Sequence, residues 1–402
     1  MERMTIIFRR YFAGERGRHR GFVELFVSKR LLHGAATALL GVFVPIYLYT
    51  LTGERFYILG GVYALLSAGY ALFLVSGMKI TNRIGFSRAL VLGSSISIFV
   101  YTILFFMNEE NVYLLLVPFI ICGILFRIFH WVPYHVDFTK FTNDGERGRD
   151  ISLTFATIAF LGVIGPILAG FIITHAGYTT LFGTAILLLV AATISYAFVP
   201  EVKEKFIWTF RETVGKLFSR EYRNLALGEF ASGAEAIVTL VAWPIFLYEI
   251  LKGNLLEIGA VSTIIVGLTI VLQLFLGKYL DDKMHSKEKT LQVGSVLYAL
   301  GWVIKIFVLS ATQVFFVGLY HNVVKIFTNT PYSTILYDMS ADQGSYIDEF
   351  SVMREMSSHT GRFFALVIMT LLTLVISIKW VFIVGAVATL LLNVVYRTVR
   401  EN

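Results

Sequence analysis

One stretch of the sequence places charged and titratable side chains inside an otherwise apolar segment. It reads Arg127-Ile-Phe-His-Trp-Val-Pro-Tyr-His-Val-Asp137, and a second stretch, Lys325-Ile-Phe-Thr-Asn-Thr-Pro-Tyr, repeats its cation, its Ile-Phe pair and its Pro-Tyr pair. A charged side chain in hydrocarbon costs about 2.5–3.5 kcal/mol on insertion scales, so such a residue normally faces a water-filled cavity or a partner. The duplicated cations Arg127 and Lys325 therefore predict a pair that binds an anionic group or tunes a proton acceptor. An ion pair within each half is the alternative.

The imidazoles of this stretch raise the question of a metal site, because imidazole and carboxylate ligands suit divalent cations. His130 and His135 are five residues apart, about 140° around a helix, and Pro133 disturbs the backbone between them. This spacing turns the two rings away from a common ligand. We expect no metal and no cofactor, and we interpret these histidines as candidates for a proton relay.

A carboxylate in another apolar run is the best candidate for carrying a proton. Glu235 follows Ser232-Gly233-Ala234, small residues that let helices approach closely and leave room for a cavity. Moving one charge through 100 mV yields about 2.3 kcal/mol for coupling. Neutralisation of Lys325 or Arg362 by Glu235 is the structural alternative, and the two roles are compatible.

The composition sets the class of protein. Of 402 residues, 56% are hydrophobic and 15% are charged, and the mean hydropathy is +0.73, which is more apolar surface than one soluble core can bury. The sequence therefore predicts an integral membrane protein. Its net charge of +7 lies mostly in predicted loops, which argues against nucleic-acid binding. The single cysteine, Cys122, excludes an intrachain disulfide, and the arginine-rich N-terminus lacks the pattern of a cleavable signal peptide.

Segments of about 20 apolar residues are long enough to cross the hydrocarbon core. Lysine and arginine are concentrated in the loops on the N-terminal side, whereas the opposite loops hold only Arg55, Lys252 and Lys379. The positive-inside rule then predicts a multi-pass protein of the cell membrane with both termini cytoplasmic. Twelve spans are predicted, at roughly 31–51, 57–78, 88–107, 112–136, 151–173, 180–199, 225–250, 257–280, 290–310, 312–336, 352–376 and 379–396.

The two halves of the chain repeat each other. Val44-Pro-Ile-Tyr-Leu-Tyr49 matches Trp243-Pro-Ile-Phe-Leu-Tyr248, and four of the seven prolines fall in the pairs Pro45/Pro244 and Pro133/Pro331. Because the spacing between copies covers six spans, we expect parallel repeats. The predicted organisation is a basic cytoplasmic segment at 1–30, six-helix bundles at 31–199 and 225–402, and a linker at 200–224 that forms an amphipathic helix on the inner leaflet.

Short motifs give the chain a resemblance to the major facilitator superfamily. The loop Gly77-Met-Lys-Ile-Thr-Asn-Arg83-Ile-Gly85-Phe-Ser-Arg88 resembles that family's Gly-x-x-x-Asp-Arg-x-Gly-Arg-Arg loop, with Asn82 in place of the acid, and Gly277-Lys-Tyr-Leu-Asp281-Asp-Lys283 is its second copy. In span 5, Gly165-Pro166-Ile-Leu-Ala-Gly170 resembles the Gly-Pro-x-x-Gly-Gly signature of proton-coupled antiporters. The resemblance implies an all-α membrane fold of twelve transmembrane helices in two parallel six-helix repeats. It also implies a secondary transporter that works by alternating access.

The same resemblance implies a gate at the inner face of the membrane. In the family, the acid at the position of Asp137 pairs with the loop arginine, which is Arg83 in this chain. Proline kinks are common where transporters bend, so Pro133 and Pro331 are predicted hinges. The predicted gating residues belong to the two loop copies, the proline bends and the span 5 motif: Arg83, Asp137, Asp281, Lys283, Pro133, Pro331, Gly165 and Pro166.

The function predicted from these features is secondary active transport of a small organic solute, with proton-coupled efflux favoured by the span 5 motif. An importer of an anionic nutrient is the alternative, favoured by the cationic excess of the cavity. A membrane-embedded enzyme that modifies lipid is a weaker alternative, because the sequence has no Ser-His-Asp set, Cys-His pair or His-Glu-x-x-His spacing. We therefore expect a monomeric transporter rather than an enzyme, with protons or another ion as coupling partner. The predicted substrate cavity is lined by Arg127, His130, Lys325, His33, Tyr320, His321 and Arg362.

Overall fold

The computed structural model describes residues 18–141, 147–201, 205–283, 287–341 and 347–395, except the side chains of 18–20, 139–140, 147–152, 274–283, 287–288, 335–341 and 347. All regular structure in these ranges is helical. The first half contains α1 (Arg18–Leu25), a π-helical segment (Phe26–Leu32), α2 (His33–Leu40), α3 (Phe43–Leu51), α4 (Phe56–Ile84), α5 (Phe86–Phe106), α6 (Val112–Phe141) and α7 (Arg147–Tyr196). The linker contains α8 (Phe210–Leu217). The second half contains α9 (Arg223–Ile237), a π-helical segment (Val238–Ala242), α10 (Trp243–Ile250), α11 (Leu255–Lys283), α12 (Lys287–Lys305), α13 (Ala311–Ala341), α14 (Ile347–Thr373) and α15 (Phe382–Leu391), the last flanked by 3-10 turns at Ile378–Val381 and Leu392–Val395.

Several of these helices are long and apolar enough to cross a membrane. Within the described ranges there are seven, or eight if the pair Gly21–Leu40 and Phe43–Leu51, bent by 40°, is counted as one span. An all-α, multi-pass membrane fold is thereby established, and the count of twelve spans stays a prediction. The count falls short partly because α13 and α14 carry polar side chains such as Asn322, Lys325 and Glu355, which lower the hydropathy of helices of 31 and 27 residues.

The longest helical run is two helices joined at a glycine. α7 covers 50 residues, and at 1.5 Å per residue a straight helix of that length would measure roughly 75 Å, more than twice the hydrocarbon thickness. Gly177 interrupts it with a φ of 78° and a ψ of 169°, a conformation that suits a residue without a Cβ. The predicted boundary between the fifth and sixth spans, at 173–180, contains this residue.

The duplicated prolines explain two local breaks in the helices. A proline removes the hydrogen bond to the carbonyl four residues earlier, and its ring clashes with that carbonyl. Pro45 lies just after the break between α2 and α3, and Pro244 lies at the start of α10, directly after the π-helical segment that follows α9. The chain therefore deviates from α-helical geometry at the corresponding place in each half.

The halves pack against each other along two helix pairs, α4 with α14 and α7 with α11. The second pair approaches closely because Gly259 lies against the backbone of α7: a Cβ there would overlap the carbonyl oxygen of Pro166. One large buried core contains residues of both halves, including Ala36, Leu59, Ile245 and Leu366.

The linker is held to both halves by side chains that bond its backbone. The amide of Asn82 in α4 donates to the carbonyl of Phe206 at 2.6 Å and accepts from its N–H at 3.0 Å. The N–H of the next residue, Ile207, donates to Glu349 of α14 at 2.9 Å. We call this arrangement the linker clasp, and the end of the bundle that carries it the linker end.

Within the linker, α8 contains Phe210, Val214 and Leu217, apolar residues at helical spacing. Thr209 caps it and exchanges hydrogen bonds with Glu212, and these bonds hold the pKa of that carboxyl below its ordinary value. Phe210 and Phe218, at either end of α8, remain exposed.

Candidate functional site

A buried carboxylate in the second half gathers three donors from three helical segments. Glu235 at the end of α9 is 5% exposed, and its Oε1 accepts from the hydroxyl of Tyr298 at 2.5 Å and from Thr239 at 2.9 Å. Lys325 Nζ of α13 lies 3.3 Å from the same oxygen. The predicted structural alternative, neutralisation of Lys325 by Glu235, is therefore the arrangement found. This group, Glu235, Tyr298, Thr239 and Lys325, is called the carboxylate cluster.

A second lysine lies beside the carboxylate cluster inside an aromatic cage. Lys305 is 3% exposed, and its Nζ lies 4.0 Å from the ring centroid of Trp243 and 4.1 Å from that of Trp302. His321 packs on Trp302 with ring centroids 4.4 Å apart, and neither of its ring nitrogens has a hydrogen-bond partner. Tyr320 points elsewhere, because its hydroxyl donates to the carbonyl of Leu297 at 3.0 Å and joins α13 to α12.

The second half holds another ion pair, which the sequence patterns did not single out. Arg354 Nη2 of α14 lies 3.0 Å from Glu229 Oε1 of α9, and the hydroxyl of Tyr332 donates to the same oxygen at 3.3 Å. The criterion that selected Glu235, a carboxylate inside an apolar span, also selects Glu229.

The duplicated cation of the first half has a different environment from its counterpart. Arg127 of α6 is half-buried, and its Nη1 donates to the carbonyl of Gly123 one turn earlier in the same helix at 3.1 Å. Its electrostatic neighbours are the tyrosines of α4 and α5 at 63, 70 and 101 and a second guanidinium, Arg362 of α14. Lys325, its counterpart in the second half, is instead paired with Glu235, so the two duplicated cations differ in their partners.

Tyr70 connects the halves beside these guanidinium groups. Its hydroxyl donates to Glu355 of α14 at 3.3 Å, and its ring lies 4.2 Å from that of His359. His359 Nε2 is 3.8 Å from the same carboxylate. Residues 355, 359 and 362 follow helical spacing, so α14 presents one polar stripe toward the first half.

The predicted cavity histidines of the first half lie inside that half. His130 is fully buried, its Nε2 accepts a hydrogen bond from Lys29 Nζ at 2.6 Å, and its ring stacks on His33 with centroids 4.6 Å apart. Lys29 also lies over the ring of Trp131 at 4.3 Å. The helical structure begins before the predicted start at residue 31, which is why Lys29, assigned to the cytoplasmic segment, is buried in the bundle.

The predicted gate pair is not formed in this structure. Arg83 is exposed at the end of α4, whereas Asp137 is fully buried and neither of its carboxylate oxygens has a hydrogen-bond partner. Pro133 and Pro331 lie within helices α6 and α13 that continue through them. Gly165 packs against the backbone of Ala38 in α2. The side chains of Asp281 and Lys283 lie outside the described part of the chain.

Across the described residues, no group of three His, Cys, Asp or Glu side chains is positioned to hold a metal ion.

At the end of the bundle opposite the linker, two tyrosines cross between the halves. Tyr49 donates to Glu249 at 3.0 Å, and Tyr248 donates to Glu54 at 3.3 Å. We call this end the distal end.

Comparison with known proteins agrees with this architecture. A solved POT family transporter, crystallised in complex with 5-aminolevulinic acid, superposes with a TM-score of 0.68 over 94% of this chain and 95% of its own, at 11% sequence identity. An uncharacterized protein of Bacillus subtilis (strain 168), YqgE, is 22% identical over 242 residues, which is 58% of this chain and 56% of the length of that relative. The family model of the Major Facilitator Superfamily matches residues 30–347. The chain therefore belongs to the major facilitator superfamily, a superfamily of secondary transporters.

Proposed function

We propose that this transporter couples the movement of a small organic solute to protons through the carboxylate cluster. The observation that carries the proposal is the ion pair between Glu235 and Lys325, 3.3 Å apart within the helical bundle and next to Tyr298. At an effective dielectric constant of 20, opposite charges at this distance attract by about 5 kcal/mol. Protonation of Glu235 removes that attraction and frees Lys325, so one proton changes the contact between α9 and α13.

The proposed architecture is that of twelve spans in two parallel repeats, 31–199 and 225–402, joined by the linker at 200–224. The matched breaks at Pro45 and Pro244 support it, because the same irregularity occurs at the same place in each half. We further propose a monomer in the cell membrane with both termini cytoplasmic, on the distribution of lysine and arginine among the loops.

The proposed direction is efflux. The Gly165-Pro166 motif supports it, because the motif resembles the signature of proton-coupled antiporters. In the structure Gly165 contacts α2, and Pro166 contacts Gly259 of the other half. Movement of α7 would therefore displace both α2 and α11. Uptake of an organic acid is the second candidate, and it is favoured by the cationic side chains inside the bundle, such as Arg127 and Lys305, and by the organic acid named for the solved POT family transporter.

Proton coupling is tested with full-length protein in liposomes that contain a pH-sensitive dye. A panel of organic acids, bases and neutral compounds is added with and without an imposed pH gradient, and each solute that moves is followed by its label. We expect solute flux to follow the gradient and to be accompanied by proton movement. In Glu235→Gln, gradient-driven flux is lost while exchange of labelled for unlabelled solute persists.

Glu257→Gln is the matched control, because Glu257 lies in the first turn of α11, away from the carboxylate cluster. Flux that is equally fast without a gradient would contradict the proposal, as would unchanged gradient-driven flux in Glu235→Gln. A gradient that drives the labelled solute out of inside-acidic vesicles rather than in would contradict the efflux direction.

A further inference from the structure

We infer that Lys29 and His130 form a proton-binding site in the first half, in which two nitrogen bases hold one proton between them. The site is separate from the carboxylate cluster, so the inference goes beyond the proposed function. It gives each half of the transporter its own proton-binding group. In this half the group that a proton charges is an amine rather than a carboxylate.

The first argument is the contact between the two bases. Lys29 Nζ lies 2.6 Å from His130 Nε2 in the interior of the bundle. Two bases at this distance are joined by one hydrogen, because protonating both would bring two positive charges into contact. The lysine donates, either as an ammonium or as a neutral amine, and the imidazole accepts in both states. The two states of the pair therefore differ by one proton.

The second argument is the kind of partner that this lysine has. Among the described residues, Lys29 makes this one hydrogen bond and no ion pair, whereas Lys325 of the second half is paired with Glu235. Lys29 is 5% exposed, and His130 is fully buried. A buried ammonium without an anion costs free energy. Release of the proton from the pair removes that cost.

The third argument is that aromatic rings stabilise the proton while it is held. Lys29 Nζ lies 4.3 Å from the ring centroid of Trp131 and 5.3 Å from that of Tyr134, so an ammonium at this place makes cation–π contacts. These contacts offset part of the cost of the buried charge. The bundle therefore accommodates the charged state of the pair although no anion neutralises it.

The backbone at the site is irregular. Lys29 belongs to the π-helical segment Phe26–Leu32, and Thr239 of the carboxylate cluster belongs to the π-helical segment Val238–Ala242. π-Helical turns inside α-helices are rare, and they occur frequently at functional sites. In each half, one such turn therefore carries a residue that contacts a buried proton-binding group.

Other titratable and charged groups surround the pair. Arg30, His33 and His135 act electrostatically on it and are all bases, so they disfavour a second proton on the pair. Tyr196 of α7 meets the ring of His130 edge to face, with centroids 5.7 Å apart. The remaining titratable groups on the neighbouring turns of α1 and α6 are Glu24, Tyr134 and Asp137.

The inference is tested with full-length protein in liposomes that are adsorbed on a sensor electrode. A jump to acidic pH without solute displaces charge when protons enter sites within the membrane. We expect the wild type to give a transient current to which both halves contribute. Glu235→Gln should leave part of the displaced charge, and Glu235→Gln combined with Lys29→Arg should abolish it. Because no solute is added, the measurement does not depend on what is transported.

Lys29→Arg separates proton binding from a structural role of the cation. A guanidinium stays protonated, so this variant keeps the charge and a donor to His130 but cannot release a proton. Lys29→Arg and Lys29→Met should each reduce the displaced charge to about half, because one of two single-charge sites is lost. Lys79→Met, which changes an exposed lysine, is the matched control and should displace the wild-type charge. Lys29→Arg remains informative if Lys29→Met does not fold.

His130→Gln replaces the accepting base by an amide and should change the pH at which half of the charge is displaced. His175→Gln is its matched control, because His175 is exposed. Three results would overturn the inference: wild-type charge displacement in both Lys29 variants, an unchanged midpoint in His130→Gln, or no displaced charge in Glu235→Gln. Failure of the proposed function looks different, because Glu235→Gln would then displace the wild-type charge while Lys29→Arg still lost it.

Discussion

The hydroxyl of Tyr49 donates a 3.0 Å hydrogen bond to Glu249 across the two halves, and Tyr248 donates to Glu54 in the opposite direction at 3.3 Å. The two tyrosines end the duplicated Pro-Ile-x-Leu-Tyr motifs, and their rings meet edge to face with centroids 6.2 Å apart. The repeat in the sequence thus produces a reciprocal contact at the distal end, in which each half supplies one donor and one acceptor.

This contact predicts an energetic coupling between Tyr49 and Glu249. A hydrogen bond to a charged group contributes about 1.5–3 kcal/mol when buried, and less at the partly exposed distal end. We expect Tyr49→Phe and Glu249→Gln each to lower the melting temperature, and the double variant to lower it by less than the sum. Additive effects in such a double-mutant cycle would show that the hydrogen bond contributes nothing measurable.

The ion pair between Arg354 and Glu229 predicts a stability effect. Removing one partner of a buried pair costs about 3–5 kcal/mol, and the 33% exposure of the Arg354 side chain reduces this to roughly 1–3 kcal/mol through solvent screening. Glu229→Gln should therefore destabilise the protein, and the added change Arg354→Gln should restore part of the loss. Thermal unfolding of the three variants measures this, and a double variant less stable than Glu229→Gln would contradict it.

The short bond from Tyr298 to Glu235 predicts an effect of the tyrosine hydroxyl on gradient-driven transport. Tyr298→Phe removes one of the three donors to Glu235 Oε1 and leaves Thr239 and Lys325 as its partners. A hydrogen bond to a charged group contributes about 1.5–3 kcal/mol, so gradient-driven flux should fall by about tenfold, with solute exchange retained. Tyr320→Phe is the control, since its hydroxyl bonds only the carbonyl of Leu297. Unchanged gradient-driven flux in Tyr298→Phe would separate Tyr298 from the proton step.

The contact of Gly259 with Pro166 predicts that α7 and α11 tolerate no side chain between them. A Cβ at Gly259 would overlap a backbone oxygen, so Gly259→Ala must separate the helices. We expect a loss of transport and a lower melting temperature. Gly61→Ala is the matched control, because no atom lies within 4 Å of the place its methyl group would take and alanine favours the helix by about 1 kcal/mol. Equal transport rates and equal melting temperatures in Gly259→Ala and Gly61→Ala would show that the interface of α7 with α11 accommodates a methyl group.

The sequence predicts the class of fold and the candidate charges well, because a charge inside an apolar run is visible without a structure. Glu235 and Lys325 were candidates on that ground, and the structure brings them together. The contacts of Arg127 were not predictable, because the repeat fixes its depth but not which residue of the other half faces it. The residues around Arg127 depend on how each helix is rotated about its axis, which no spacing within α6 reports.

Two differences have physical causes at helix ends. A span predicted from hydropathy begins where the polar residues stop, so the prediction places Lys29 outside the bundle. In the structure Lys29 is buried, because its aliphatic stem packs among apolar groups and its ammonium makes a cation–π contact with Trp131. The pairing of Arg83 with Asp137 is what the resemblance to the superfamily implies. In the structure the first is exposed and the second is buried, so the two side chains lie in different environments.

The linker clasp restrains the separation of the two halves at the linker end. Asn82 and Glu349 bond the backbones of adjacent residues, Phe206 and Ile207, so the separation of α4 from α14 at that end has to stretch a single peptide unit or release one side of it. The linker therefore limits how far α4 and α14 can move apart at the linker end. Separating α4 from α14 at the linker end therefore requires breaking either the hydrogen bonds of Asn82 or the bond to Glu349.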